Sequence, residues 1–112
     1  MAATFSPELA GEWGVAMGEE FWNKGTNIYE GPGVCIARIE KNGRTFEYLS
    51  GEDPVLGGNL ASPLVDGIQQ NVMAITKHFM CAVAPCALAF STCHLLMTRV
   101  PSENHECLKR LP

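Results

Sequence analysis

Lys77 and His78 follow directly on the apolar run Val72-Met73-Ala74-Ile75-Thr76, and Arg44 stands three residues before Glu47 in a glycine-bearing stretch. A charged pair just past a buried strand is either a ligand-binding pair or a solvated strand end. Arg44 and Glu47 make either part of a site or a surface ion pair in a turn, worth less than about 1 kcal/mol. Glu47, Glu52 and Asp53 could be offered as an acid–base dyad, but carboxylates that are neighbours in one loop point apart and more often cap or face water. Cys81, Cys86, Cys93, His94, His105 and Cys107 invite a zinc reading. Structural zinc sites use cysteine pairs separated by two to four residues, whereas the gaps here hold four and six with no second tight knuckle, so no metal is expected. Five cysteines are an odd number, and nothing in the sequence indicates the oxidising compartment that disulfides need.

These groups need elements to hold them. Ser6-Pro7 is a helix start, because the serine hydroxyl can accept from an orphan N–H and proline at the first helical position gives up a donor with no partner. Leu9, Trp13, Ala16, Met17, Phe21 and Trp22 then recur at helical steps, and Gly25 is placed to end the helix. Gly11, Gly14 and Gly18 each weaken an isolated helix by about 1 kcal/mol relative to alanine. Close approach of this helix to a sheet is the expected compensation. Thr26 to Tyr29 suits a short strand that stops at Glu30-Gly31-Pro32-Gly33. A long connection follows, with too few periodic apolar positions for a core element, and long ordered loops of this kind are often functional. After Asp53-Pro54, the positions Val55, Leu56, Leu60, Leu64, Val65 and Ile68 predict a second helix, and 72–76 a strand buried on both faces.

Helix, strand, long loop, helix, strand is the alternation of α/β proteins with a parallel sheet. Two parallel strands cannot close a barrel, so the legible part is expected to be a slice of a larger domain. The chain has 112 residues, 46% of them hydrophobic and 18% charged, with a net charge of −4. That is ordinary globular composition, and its scattered basic residues form no stripe for a nucleic acid backbone. Met1 to Pro7 lacks the basic and apolar regions of a secretion signal, which leaves localisation undetermined. Four of the five cysteines lie beyond Phe79, where Met80 to Met97 carries no Asp, Glu, Lys or Arg. Its length is at the lower edge of a membrane span, but Pro85, Ser91, Thr92 and His94 weigh against one. Leu88 to Met97 suits a core element and a membrane-facing one equally.

Gly31-Pro32-Gly33-Val34 leading to Ala37-Arg38, then Asn42-Gly43-Arg44-Thr45-Phe46-Glu47-Tyr48-Leu49-Ser50-Gly51-Glu52-Asp53-Pro54, then Gly67-Ile68-Gln69 and Lys77-His78-Phe79, closely resembles the N-terminal barrel domain of glycoside hydrolase family 3, the β-glucosidase type. The resemblance covers roughly Leu9 to Phe79, with four motif blocks in order. It implies a partial (β/α)8 TIM-like barrel of about two βα units, and retaining hydrolysis of terminal β-glucosidic bonds with no metal or organic cofactor. It also implies that Arg44, Lys77 and His78 bind the hydroxyls of the sugar nearest the reaction; Glu47, by its spacing of three residues from Arg44, is expected to orient that arginine rather than touch substrate. Charged, multi-donor groups suit vicinal hydroxyls and discriminate between sugars when desolvated.

Retaining hydrolysis needs two carboxyl groups about 5 to 5.5 Å apart. The resemblance places the family's nucleophilic aspartate downstream of the Lys-His pair and its acid/base glutamate in a second domain, so neither is expected in this chain, which alone is expected to be inactive. Where the family continues into an Asn-rich loop, this sequence has Met80-Cys81-Ala82-Val83-Ala84-Pro85. Residues 1–79 are therefore expected to be the family fragment and 80–112 a divergent tail outside its fold. The expected partner is a β-glucoside or oligosaccharide, with neither nucleic acid nor membrane. A non-catalytic sugar-binding or regulatory remnant, using the same three residues without turnover, is the alternative.

Overall fold

The structure, a computed structural model, describes residues 1–38, 41 and 43–78. The proposed tail at 80–112, its cysteine and histidine set, and the boundary at Phe79 lie outside the described residues. After a 3-10 turn at Ala2–Thr4, helix α1 (Pro7–Asn23) begins where the sequence places it. The Ser6 hydroxyl accepts from the Leu9 N–H at 3.2 Å, and Pro7 occupies the first turn. Gly25 takes a left-handed conformation, φ 83°, which lets the chain leave the helix without a side-chain clash.

Strands β1 (Ile28–Tyr29) and β2 (Met73–Ala74) run parallel, with Ile28 opposite Met73 and Tyr29 opposite Ala74. The Met73 N–H donates to Asn27 O and the Ile75 N–H to Tyr29 O, both at 2.9 Å, so the pairing continues one residue past each named end. Between the strands, helix α2 (Pro54–Ile68) starts on Asp53, whose carboxylate accepts from the N–H groups of Val55 and Leu56 at 2.9 and 3.0 Å. Such a cap contributes about 1 kcal/mol. The helix runs on through Pro63 to Ile68. The architecture of the described residues is thus α/β, with two helices and a two-stranded parallel sheet.

Two expectations are corrected. The buried face of α1 is Ala10, Gly14 and Gly18, spaced by four, and Leu9, Trp13 and Trp22 of the large-residue stripe are 40–48% exposed. The glycines serve helix-to-helix contact: a Cβ on Gly14 would stand 2.4 Å from Leu64 O, and one on Gly18 would stand 2.7 Å from Ile68 O. Small residues let the two backbones touch, so the apolar bulk that packs comes from α2. Leu60, Leu64 and Ile68 join Ala10 and Val72 in the core, with Phe21 and Tyr29 against it, their rings edge to face at 5.0 Å.

The second correction concerns the 72–76 run, which is not buried on both faces. Val72 is fully buried, but Met73 and Ile75 are 42% and 43% exposed and Ile28 beside them is 45% exposed. The core lies on the side of the strands that carries Tyr29, Val72 and Ala74, and the face that carries Ile28, Met73 and Ile75 is exposed. Neither helix is long and apolar enough to cross a membrane among the described residues.

Candidate functional site

The long connection between β1 and α2 is not an outlying loop. Its first part, Gly31-Pro32-Gly33, is buried and threads between two other segments, with Gly33 bridged in the parallel sense to Tyr48 on one side and Lys77 on the other. The Lys77 N–H donates to Pro32 O at 3.0 Å, the Val34 N–H to Lys77 O at 2.7 Å, and the Leu49 N–H to Gly33 O at 2.9 Å. Gly33 has no room for a side chain, since a Cβ there would stand 2.9 Å from Glu47 O. Beyond it Cys35 and Ile36 are buried, as is Tyr48 after a 3-10 turn at Thr45–Glu47. The peptide bonds Gly31-Pro32 and Lys77-His78 are cis.

This threading brings the Arg44 loop alongside the end of β2. The Glu47 carboxylate joins the two: Oε1 accepts from Arg44 Nε, and Oε2 accepts from Lys77 Nζ at 3.1 Å. Arg44 and Lys77, distant in sequence, are thereby held at the same end of the strands, half-exposed and mostly covered respectively. His78 lies beside them in the chain. Its ring stands edge to face against Tyr48 with centroids 6.2 Å apart, and its Nδ1 is 3.7 Å from Cys35 Sγ. Asp53 is engaged as the α2 cap and Glu47 with two cations, so neither is half of a facing carboxyl pair. Among the described residues no three histidine, cysteine or carboxylate groups cluster to hold a metal ion.

Glu47 contacts Arg44, the residue three positions before it, and also Lys77, thirty positions after it. The Gly-Arg-x-x-Glu spacing signals only the local half of the arrangement. Cys35 reaches His78 with no local signal beyond its place two residues after Gly33.

The hydrogen bond from Arg44, and then that from Lys77, holds the Glu47 carboxyl below the usual carboxylate range, and the same pairing raises the guanidinium of Arg44. A carboxyl that is more acidic in the folded chain contributes its stabilisation fully above the unfolded value of about 4.3 and loses it as pH falls through the lower folded value. In acid unfolding followed by circular dichroism, Glu47→Gln is therefore expected to show a shallower loss of stability below that pH than the parent chain. Superimposable acid limbs would remove the clamp from the account.

Cationic groups with several donors each, fixed by a shared carboxylate at the carboxyl ends of parallel strands, are suited to binding a polyhydroxylated ligand. The chain is 45% identical over 80 residues to β-glucosidase BoGH3A of Bacteroides ovatus, a match covering 70% of this chain and 11% of that protein. It is 46% identical over 82 residues to a probable β-glucosidase of Arthroderma benhamiae, covering 71% of this chain and 10% of that one. Among solved structures, β-glucosidase 3B from Thermotoga neapolitana in complex with glucose superposes with a TM-score of 0.65 at 46% identity, over 70% of this chain and 11% of that one. The chain thus spans about a tenth of the length of the relatives it matches. Residues 1–89 match the family model described as the glycosyl hydrolase family 3 N terminal domain, and the chain belongs to that family.

Proposed function

We propose that the chain is part of a retaining β-glucosidase-type hydrolase, in which Arg44, Lys77 and His78 bind hydroxyls of the terminal glucosyl unit and the two reacting carboxyl groups come from other parts of the enzyme. The observation that carries this reading is the Glu47 bridge, which joins cations from two separate loops at one end of the strands. A surface pair in a turn would not need the buried Gly33 path that aligns those loops. The uncovered apolar strand face of Ile28, Met73 and Ile75, opposite the helices, supports a slice of a (β/α)8 barrel, since that is the face a closed barrel fills with side chains. The β-glucosidase names of the relatives and the glucose complex of the T. neapolitana enzyme support the sugar.

In this reading the protein supplies recognition. Guanidinium and ammonium groups donate to vicinal hydroxyls, and their fixed spacing rejects a sugar with a displaced hydroxyl because a desolvated donor is then left unpaired. The test uses the purified 112-residue chain. It is expected to bind glucose saturably by calorimetry, to lose that binding on Arg44→Ala or Lys77→Ala, and to leave a chromogenic β-glucoside intact. Turnover by the chain would overturn the assignment of the reacting carboxyls to other parts of the enzyme, and glucose binding indifferent to both substitutions would overturn the site.

A further inference from the structure

Tyr48 is 6% exposed, and its hydroxyl oxygen is enclosed with no hydrogen-bond partner among the described residues. No other buried side-chain oxygen or nitrogen of the described residues is in that condition. A phenol that gives up its hydration without gaining a partner weakens the fold, which is why buried tyrosine hydroxyls are normally matched. The ring is held from two sides. It stands edge to face against the His78 imidazole with centroids 6.2 Å apart, and it lies over Gly33, where a Cβ would stand 3.4 Å from Tyr48 Cδ1. A phenylalanine would make both contacts, so the oxygen adds nothing to this packing.

The place of Tyr48 in the fold is the sugar site itself. It follows Glu47, the carboxylate that joins Arg44 to Lys77, and the Arg44 guanidinium, bonded first of all to Glu47, is also within electrostatic reach of the Tyr48 phenol. Polar groups left unmatched in a native fold concentrate at functional sites. We propose that Tyr48 is a further sugar-binding residue, whose hydroxyl is unmatched in the free chain and takes a hydroxyl of the bound glucosyl unit as its partner. This role rests on the proposed function and adds to it a residue that Arg44, Lys77 and His78 do not replace. Arg44 and Lys77 only donate, whereas a phenol also accepts and can receive the hydrogen of a sugar hydroxyl. Because the oxygen is enclosed, the sugar reaches it only as side chains at the site move aside, so the bond belongs to the complex and not to the free chain. The hydroxyl therefore lowers the stability of the free chain and raises its affinity for the sugar.

The test is Tyr48→Phe in the full chain, which keeps both ring contacts. The thermal unfolding midpoint of the free chain is expected to rise by about 4 to 8 °C, and glucose affinity measured by calorimetry to fall about fivefold, the scale of one neutral hydrogen bond. Carbon-13 at the ζ position of the two tyrosines gives the direct readout: the Tyr48 signal, assigned by its loss in Tyr48→Phe, is expected to shift saturably with glucose. A midpoint lowered or unchanged in Tyr48→Phe would show that the hydroxyl is already matched in the free chain and would overturn the proposal. So would parent affinity in Tyr48→Phe, or a Tyr48 signal that glucose does not move. Glucose binding abolished by Arg44→Ala but not weakened by Tyr48→Phe leaves the proposed function standing and removes Tyr48 from the site, whereas a parent chain that binds no glucose refutes both.

Discussion

Glu47→Gln is expected to weaken glucose binding by roughly tenfold to a hundredfold, the scale of one hydrogen bond to a charged group. The carboxylate accepts from Arg44 through one oxygen and from Lys77 through the other. A glutamine has one acceptor oxygen and no charge, so it can hold one cation at most and leaves two like charges side by side. The pair is then less firmly ordered, and the cost of ordering it falls on the sugar. Glu52→Gln is the control, because Glu52 is an exposed carboxylate in the same loop and is expected to leave the affinity unchanged. Calorimetric titration with glucose distinguishes the two, and equal affinities would mean that the bridge does not organise the site.

The largest expected effect on stability comes from Gly67→Ala. A Cβ there would stand 2.4 Å from Gly11 O, 2.8 Å from Val15 N and 3.0 Å from Gly14 C, all main-chain atoms of α1 that no rotamer change can move aside. Alanine gains about 1 kcal/mol in helix propensity over glycine, but forcing two packed helices apart typically costs about 1–3 kcal/mol and occasionally more. The helices also bury most of the core between them, which makes the upper end of that range the expected one. Gly11→Ala on the same interface meets Pro63 only at 3.7 Å, an ordinary contact, and is expected to be neutral or to stabilise by up to about 1 kcal/mol. The thermal unfolding midpoint should therefore fall for Gly67→Ala and hold or rise for Gly11→Ala. A midpoint unchanged or raised in Gly67→Ala would show that the helices are not in backbone contact.

The start of α1 at Ser6-Pro7, its exit at Gly25, the start of α2 on Asp53-Pro54 and the parallel pairing of two short strands were legible because each depends on a local signal: a cap, a proline, a left-handed glycine, a short apolar run. The face that α1 buries was not legible. Periodicity of large residues picks out Leu9, Trp13 and Trp22, whereas contact with α2 depends on small residues at Ala10, Gly14 and Gly18 and on the matching gap at Gly67. Only the partner helix reveals that match. The 72–76 run looked buried on both faces because composition does not say which face has a neighbour. At the site, the local Arg44–Glu47 pair could be read from its spacing, but Glu47–Lys77 and Cys35–His78 are non-local contacts created by the passage of Gly33 between two segments.

The most direct measurement is a glucose titration of the isotopically labelled 112-residue chain, followed residue by residue in NMR spectra. The account predicts saturable shifts concentrated at Gly33, Arg44, Glu47, Lys77 and His78 and abolished by Arg44→Ala. Shifts gathered instead on the exposed side of α1 at Leu9, Trp13 and Trp22, or no saturable shift at any of the five residues, would contradict it.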